Sequence, residues 1–259
     1  MIFDTAMSEP LTVTGIVLAA APSGEYDKRL VLLTKERGKI TAFARGARRT
    51  GSPLMAACNP FVFGQFTVYE GRSAYTLTQV SVMQYFTELA AEFPGVYYGF
   101  YFLEIADYYG REGKADKDML NLLYLSCRAL ENDKLDDRLV RRIFELRAMA
   151  INGEYPDVFS CVRCGSREEL AVYNAAEGGM ICRDCLNGLA FPKENQGLPV
   201  GESLVYTMQY IVTAPLTKLF TFTVEEEVLR ELEMVMNRHM QRYIDQRFKS
   251  KEILETVLH

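Results

Sequence analysis

Two cysteine pairs, Cys161-Val162-Arg163-Cys164 and Cys182-Arg183-Asp184-Cys185, are separated by 17 residues. No other feature narrows the folding of this chain as much. Two sulfurs three residues apart share one tight turn, and two such turns at this spacing enclose a single metal ion. Between the pairs, Leu170–Tyr173 and Met180–Ile181 flank Asn174–Gly179, a pattern that predicts a hairpin carrying one knuckle to the other. Four thiolates on Zn²⁺ leave a net charge of about −2, with Arg163, Arg167 and Arg183 close in sequence to offset it. Such a site keeps no open position for water, so one structural zinc ion is expected on Cys161, Cys164, Cys182 and Cys185. A pair of redox dithiols is the alternative, but a redox CxxC opens a helix after a strand, whereas these surround a hairpin. The two remaining cysteines, Cys58 and Cys127, are expected to be small buried residues.

The first eighty or so residues read as short strands at close spacing. Leu11–Ala19 is apolar and β-branched, and Leu30–Thr34 is followed by the turn Lys35-Glu36-Arg37-Gly38 and then by Lys39–Arg45. Phe61–Tyr69 and Tyr75–Val82 flank the turn Glu70-Gly71-Arg72-Ser73. Five strands with an interruption after the third predict a small closed barrel of the OB-fold type, with an SH3-like barrel as the alternative.

From about Gln84 the apolar period changes to three and four. Helices are expected over Val96–Tyr109, Asp116–Glu131 and Leu135–Ala150, the last ended by Pro156, and again over Glu202–Thr213 after a Gly- and Pro-rich loop, Gly188–Gly201. A final long helix is expected to start with Thr223 as N-cap and Glu226 three residues on, a capping-box pairing. Its stripe would be Val228, Leu232, Met236, Met240 and Tyr243. The fold class is therefore multi-domain α+β. The boundaries are 1–83 for the barrel, 84–160 for the first part of a helical domain, 161–187 for the zinc ribbon and 188–259 for the second helical part.

Charge is unevenly placed. The net charge is −5, yet Lys28, Arg29, Lys35, Arg37, Lys39, Arg45, Arg48 and Arg49 face only Glu36 in their own window. That stretch carries +7 and the remainder −12. Clustered positive charge on strands and turns of a small barrel suits phosphate binding, and Phe43 and Phe66 are candidates for stacking bases or for packing the core, core packing being favoured. A solvated face would normally intersperse acids. A second basic stripe, Arg138, Arg141 and Arg142, lies among Asp136, Asp137 and Glu145 and is expected to be a solvated helix face.

Several classes lack their signatures. No GxxxxGK[ST] is present, and the two histidines, His239 and His259, have no nucleophile beside them in sequence, so no active site is expected. Met1–Pro10 carries Asp4 and Glu9 without a basic residue, unlike a secretory leader, and the apolar region Phe93–Ala106 is broken by Gly95, Gly99 and Glu104. A cytoplasmic chain without membrane contact is expected.

Four stretches together resemble the RecO family of bacterial DNA repair and recombination mediators. They are Gly24–Leu30 leading into Leu33–Lys39, and the basic run Ala44-Arg45-Gly46-Ala47-Arg48-Arg49. Phe144-Glu145-Leu146-Arg147 with Gly153-Glu154-Tyr155-Pro156 precedes the first cysteine pair, and Phe248-Lys249-Ser250 lies near the end. The resemblance implies an OB-fold that binds single- and double-stranded DNA, a helical domain with a zinc finger, and strand annealing without ATP. It further implies RecR and the C-terminal tail of single-strand-binding protein as partners, loading of RecA, and association with the nucleoid. An RNA-binding zinc-ribbon factor and a non-enzymatic protein–protein adaptor are the alternatives.

Overall fold

The computed structural model describes residues 9–188 and 197–258. Most of the Met1–Pro10 segment and of the Gly188–Gly201 loop falls outside the described residues. The chain forms two compact units, one spanning Met1–Glu131 together with Phe248–His259, the other Asn132–Arg247.

In the first unit, strands β1 (Leu11–Ser23), β2 (Asp27–Thr34), β3 (Gly38–Ala44), β4 (Phe63–Glu70) and β5 (Tyr75–Gln84) close a barrel in the order β1-β2-β3-β5-β4. This is the OB arrangement. Closure depends on the length of β1: its first half pairs with β4 from Leu11 to Ile16, and its second half pairs with β2 from Gly15 to Ser23. A register shift between Val17 and Ala19 turns the strand from one neighbour to the other. The period of two is cleanest in β3, where Ile40, Ala42 and Ala44 point inward to meet Val13, Leu30, Leu32, Phe66, Val68 and Leu77. The interruption after β3 contains one short helix, α1 (Leu54–Ala57).

Helices α2 (Thr87–Ala91), α3 (Gly95–Tyr109), α4 (Lys117–Leu130) and α9 (Lys249–Leu258) belong to the same unit. The Asp116 side chain caps α4 by accepting from the Met119 amide at 3.1 Å. Between the barrel, α4 and α9, helix α3 buries Tyr98, Tyr101, Phe102, Leu103, Ile105 and Ala106. That explains why its sequence is apolar on every side. Among the described residues no helix is long and apolar enough to cross a membrane. Phe248 fits between Tyr101 and Tyr108 at 5.8 and 5.7 Å, and the Glu104 carboxylate accepts from the Lys249 and Ser250 amides, fixing the start of α9.

In the second unit, α5 (Asp137–Asn152), α7 (Glu202–Thr213) and α8 (Glu226–Tyr243) pack with a sheet of β6 (Asp157–Cys161), β8 (Gly179–Cys182), β7 (Leu170–Asn174) and β9 (Leu198–Pro199), in that order; α6 (Arg183–Asn187) follows β8. The boundaries read from the sequence gather all the helices after residue 83 into one domain. In the structure α2, α3, α4 and α9 pack with the barrel, and α5, α7 and α8 with the ribbon. Helical periodicity shows that a segment has an apolar face but not which neighbour covers it.

Three local expectations differ from the structure. Helix α5 ends at Gly153, which takes the left-handed conformation (φ +75°) that lets its amide close on Ala150, so the stop lies ahead of Pro156. Helix α8 begins at Glu226 with Glu225 as its N-cap, no side chain caps it, and Thr223 lies outside. Its buried face is Leu229, Leu232, Val235, Met236, His239 and Met240, about one position round from the expected stripe. Finally, Arg141 and Arg142 are buried against α5's own Glu145, with Arg141 Nε at 2.9 Å and an Arg142 terminal nitrogen at 2.8 Å from its two oxygens. Charge spacing alone suggested a solvated face because a buried triad and an exposed i, i+4 pattern have the same letters.

Candidate metal centre and basic face

The four cysteines converge. Cys161 ends β6 and Cys182 ends β8, two parallel neighbours in one sheet, while Cys164 follows in the first knuckle and Cys185 lies in the first turn of α6. Contrary to expectation, the second pair does open a helix after a strand, so what favours a metal over a redox dithiol is the convergence of all four sulfurs. The hairpin of β7 and β8 forms as its sequence predicts. The first knuckle is closed by the Gly165 amide on the Cys161 carbonyl at 2.8 Å, and the Cys161 amide on Ser166 at 2.7 Å. All four sulfurs lie within 4.8 Å of one another, and Cys164 and Cys182 are 3.6 Å apart. A tetrahedron with metal–sulfur bonds of about 2.3 Å needs sulfurs about 3.8 Å apart. The donor set therefore fits a four-thiolate ion.

The electrostatics fit as well. Burial opposes ionisation of Cys161, but the backbone N–H groups of Cys182, Cys164 and Arg163 outweigh it and hold the thiol down to about 6. Cys185 is pushed up to about 12, first by its hydrogen bond with Cys164 and then by burial. Four such groups become thiolates together only around a cation. Arg163 sits beside them, oriented by Glu177 through an ion pair, and its own pKa is raised by that pairing and further by Cys185 and Cys161. Cys58 and Cys127 are not among the clustered sulfurs, and burial pushes both thiols up, Cys58 to about 11.

The eight basic residues of the Lys28–Arg49 window divide between the two ends of the β2–β3 hairpin, about 20 Å apart at ~3.3 Å per residue. At one end lie Arg29, Arg45, Arg48 and Arg49, all exposed. Here the Asp27 carboxylate accepts from the Gly46 amide at 2.7 Å and the Arg48 amide donates to the Tyr26 carbonyl at 2.8 Å, so the loop after β3 is clamped to the β1–β2 turn. The Arg48 guanidinium donates to the Gly24 and Glu25 carbonyls at 3.2 Å each, and the Arg49 guanidinium lies 5.1 Å from the centre of the Tyr26 ring. Lys28 turns aside, donating to the Asn59 side chain at 2.8 Å and to the Met55 and Cys58 carbonyls. Register pairing sets Arg29 opposite Phe43, which points outward and is half-buried, whereas Phe66 is fully inside the barrel.

At the other end Lys35 and Arg37 are exposed, but Lys39 is tied to α3, 3.2 Å from the Asp107 carboxylate and 2.6 Å from its carbonyl. This turn is seated on the α3–α4 connection: Gly38, at φ +64°, bridges Glu112, and a Cβ there would collide with the carbonyls of Lys114 and Arg111. Sequence reading missed Tyr26 and the acids Glu25 and Asp27, which sit one to three residues before the basic window yet share its end of the barrel. The turn at Gly24 was the signal that would have placed them there.

An OB barrel joined in one chain to a helical unit bearing a four-cysteine ribbon defines a narrow class of multi-domain α+β proteins. The chain belongs to the RecO family: the model for recombination protein O N terminal matches residues 7–86, and that for recombination protein O C terminal matches residues 90–252. It is 29% identical over 245 residues to the DNA repair protein RecO of Alkaliphilus metalliredigens, covering 94% of this chain and 98% of that one. It is 27% identical to the DNA repair protein RecO of Acetivibrio thermocellus, at 95% and 97% coverage. The protein of the same name from Bacillus subtilis is also 27% identical, at 94% and 93%. The relatives support a role in DNA repair.

Proposed function

We propose that the barrel binds single- and double-stranded DNA through its phosphates, without sequence preference, and that the protein uses this binding to anneal complementary strands. The observation that carries the proposal is the set of four exposed guanidiniums, Arg29, Arg45, Arg48 and Arg49, gathered on one clamped end of the barrel. Arginine forks suit phosphate oxygens, and neutralised strands approach each other without their usual repulsion. Lys35 and Arg37 extend the contact to the far end of the hairpin, while Lys28 and Lys39 serve chiefly as internal ties.

The ribbon holds one Zn²⁺ on Cys161, Cys164, Cys182 and Cys185, and this ion closes the two knuckles into one structural unit. The protein acts as a mediator without catalysis of its own, in the cytoplasm at the nucleoid. With RecR and the C-terminal tail of single-strand-binding protein as partners, it helps RecA onto coated DNA. These last assignments rest on the family to which the chain belongs.

The test is annealing of two complementary labelled oligonucleotides without ATP. Acceleration that fades with salt is the expected result, and no acceleration at any salt would overturn the annealing role.

A further inference from the structure

Tyr26 is an aromatic ring placed in the middle of the basic end of the barrel. It occupies the tip of the β1–β2 turn and is 44% exposed. Its backbone carbonyl is held by the Arg48 amide at 2.8 Å, which fixes the residue's place in the turn. The Arg49 guanidinium lies over the ring at 5.1 Å, stiffening it and adding positive charge beside it. An exposed tyrosine at a turn is ordinary when its surroundings are mixed. Here it is flanked by four exposed arginines whose natural ligand is a string of phosphates.

We infer that Tyr26 is a stacking platform for an unpaired base and gives this end of the barrel its preference for single strands over duplex. The inference rests on the DNA-binding reading above and deepens it. Phosphate contacts by Arg29, Arg45 and Arg49 cannot distinguish the two forms of DNA, because both present the same backbone anions. A π-face can. Bases in a duplex are already stacked on their neighbours, whereas a single strand offers base faces to an aromatic ring. With the guanidinium holding phosphates and the ring holding a base, one nucleotide is gripped at both ends.

The chain contains no tryptophan, so Tyr26→Trp introduces a single indole reporter at this position. Binding of a thymidine oligonucleotide of roughly 20 nucleotides and of a duplex of the same length is measured at low salt for the wild type and four variants. These are Tyr26→Ala, Tyr26→Phe, Tyr26→Trp and the triple replacement Arg29→Ala, Arg45→Ala, Arg49→Ala. Expected is a loss of roughly tenfold or more in single-strand affinity for Tyr26→Ala, a duplex affinity changed by less than about twofold, and near-complete retention in Tyr26→Phe. The indole of Tyr26→Trp should be quenched by the single strand and not by the duplex.

If Tyr26→Ala weakens both forms alike or neither, while the arginine triple variant weakens both, the stacking role is overturned and DNA binding by the barrel stands. If the triple variant binds as the wild type does, both fail. Should Tyr26→Ala not fold, the tryptophan variant decides alone, absence of quenching by the single strand overturning the inference.

Discussion

The Tyr173 hydroxyl lies 2.7 Å from Nδ1 of His239, joining strand β7 of the ribbon sheet to helix α8. The other ring nitrogen, Nε2, lies 2.7 Å from the Glu154 carbonyl, which can only accept, so Nε2 carries the proton and Nδ1 accepts from tyrosine. Tyr243 stacks on the imidazole at 4.3 Å. Both nitrogens are thus satisfied by a neutral ring. Tyr173→Phe should leave Nδ1 buried without its donor and lower the stability of this unit by about 1–3 kcal/mol. Urea unfolding followed by tyrosine fluorescence or circular dichroism measures this, and an unchanged midpoint would mean that the hydrogen bond contributes nothing.

The same site gives a pH dependence. Burial, its main cause, lowers the His239 pKa below the ordinary histidine value. The unfolded chain therefore binds more protons than the folded one as pH falls through about 6.5, the ordinary value, and stability rises with pH across that range. The contribution is fully present above about pH 7 and declines from there toward pH 5. His239→Asn removes the titrating group, so the stability difference between wild type and variant should narrow on acidification. Parallel stability curves from pH 7.5 to about 5 would show that His239 does not titrate differently on folding.

Glu145 is fully buried between Arg141 and Arg142 on its own helix. Replacing it by Gln keeps the shape but removes the charge that both buried guanidiniums face, a loss of about 3–5 kcal/mol. Arg138, by contrast, bridges Glu226 and Glu233 from a partly exposed position, and Arg138→Ala should cost about 1 kcal/mol or less. Chemical denaturation of the two variants side by side checks the ranking. A Glu145→Gln variant as stable as Arg138→Ala would show that the buried charges have found other compensation.

The metal centre makes an analytical prediction. Purified protein should carry one zinc per chain, and Cys182→Ser should carry under half an equivalent while losing protection of the Asp157–Asn187 segment from proteolysis. Cys182 ends β8 and caps α6, so the loss should spread through that sheet before it reaches α5. Elemental analysis with limited proteolysis decides it. Wild-type protein without metal, or a serine variant equally resistant, would remove the structural role of the ion.

These sites differ in how far the sequence disclosed them. The cysteines were legible because metal geometry demands fixed residue types at fixed spacing, and the barrel because strand period and turn residues recur along β1 to β5. The Arg141–Glu145–Arg142 triad was not, since its burial is set by neighbours from distant sequence that no local pattern records. The pairing of Tyr173 with His239 spans 66 residues and joins two elements whose contact is purely tertiary. The basic window was visible as a charge excess split between one turn and the stretch after the third strand, but the β2–β3 register was needed to set Arg29 beside Arg45, Arg48 and Arg49. Its extent was misjudged at Glu25 and Asp27, because counting charge along a line ignores the turn that folds those acids back onto the cluster.

Salt dependence tests whether the two ends act together. If Arg29, Arg45, Arg48 and Arg49 alone contact duplex phosphates, the logarithm of affinity should fall with the logarithm of salt at a slope of about −3.6. If Lys35 and Arg37 also contact DNA, the slope should steepen to about −5.4, which is a loss of roughly two-thousandfold between about 50 and 200 mM salt. Each removed phosphate contact should reduce the slope by about one. Arg29→Ala, Arg45→Ala and Arg49→Ala together should therefore take away about three. Arg48 is spared in that variant because its guanidinium also donates to the Gly24 and Glu25 carbonyls, and removing it would loosen the turn as well. Lys35→Ala with Arg37→Ala should take away about two if the far end engages, and nothing if it does not. Titrations of the wild type and both variants over four salt concentrations separate these cases. A wild-type slope near zero would mean that the barrel holds duplex DNA by something other than its phosphates.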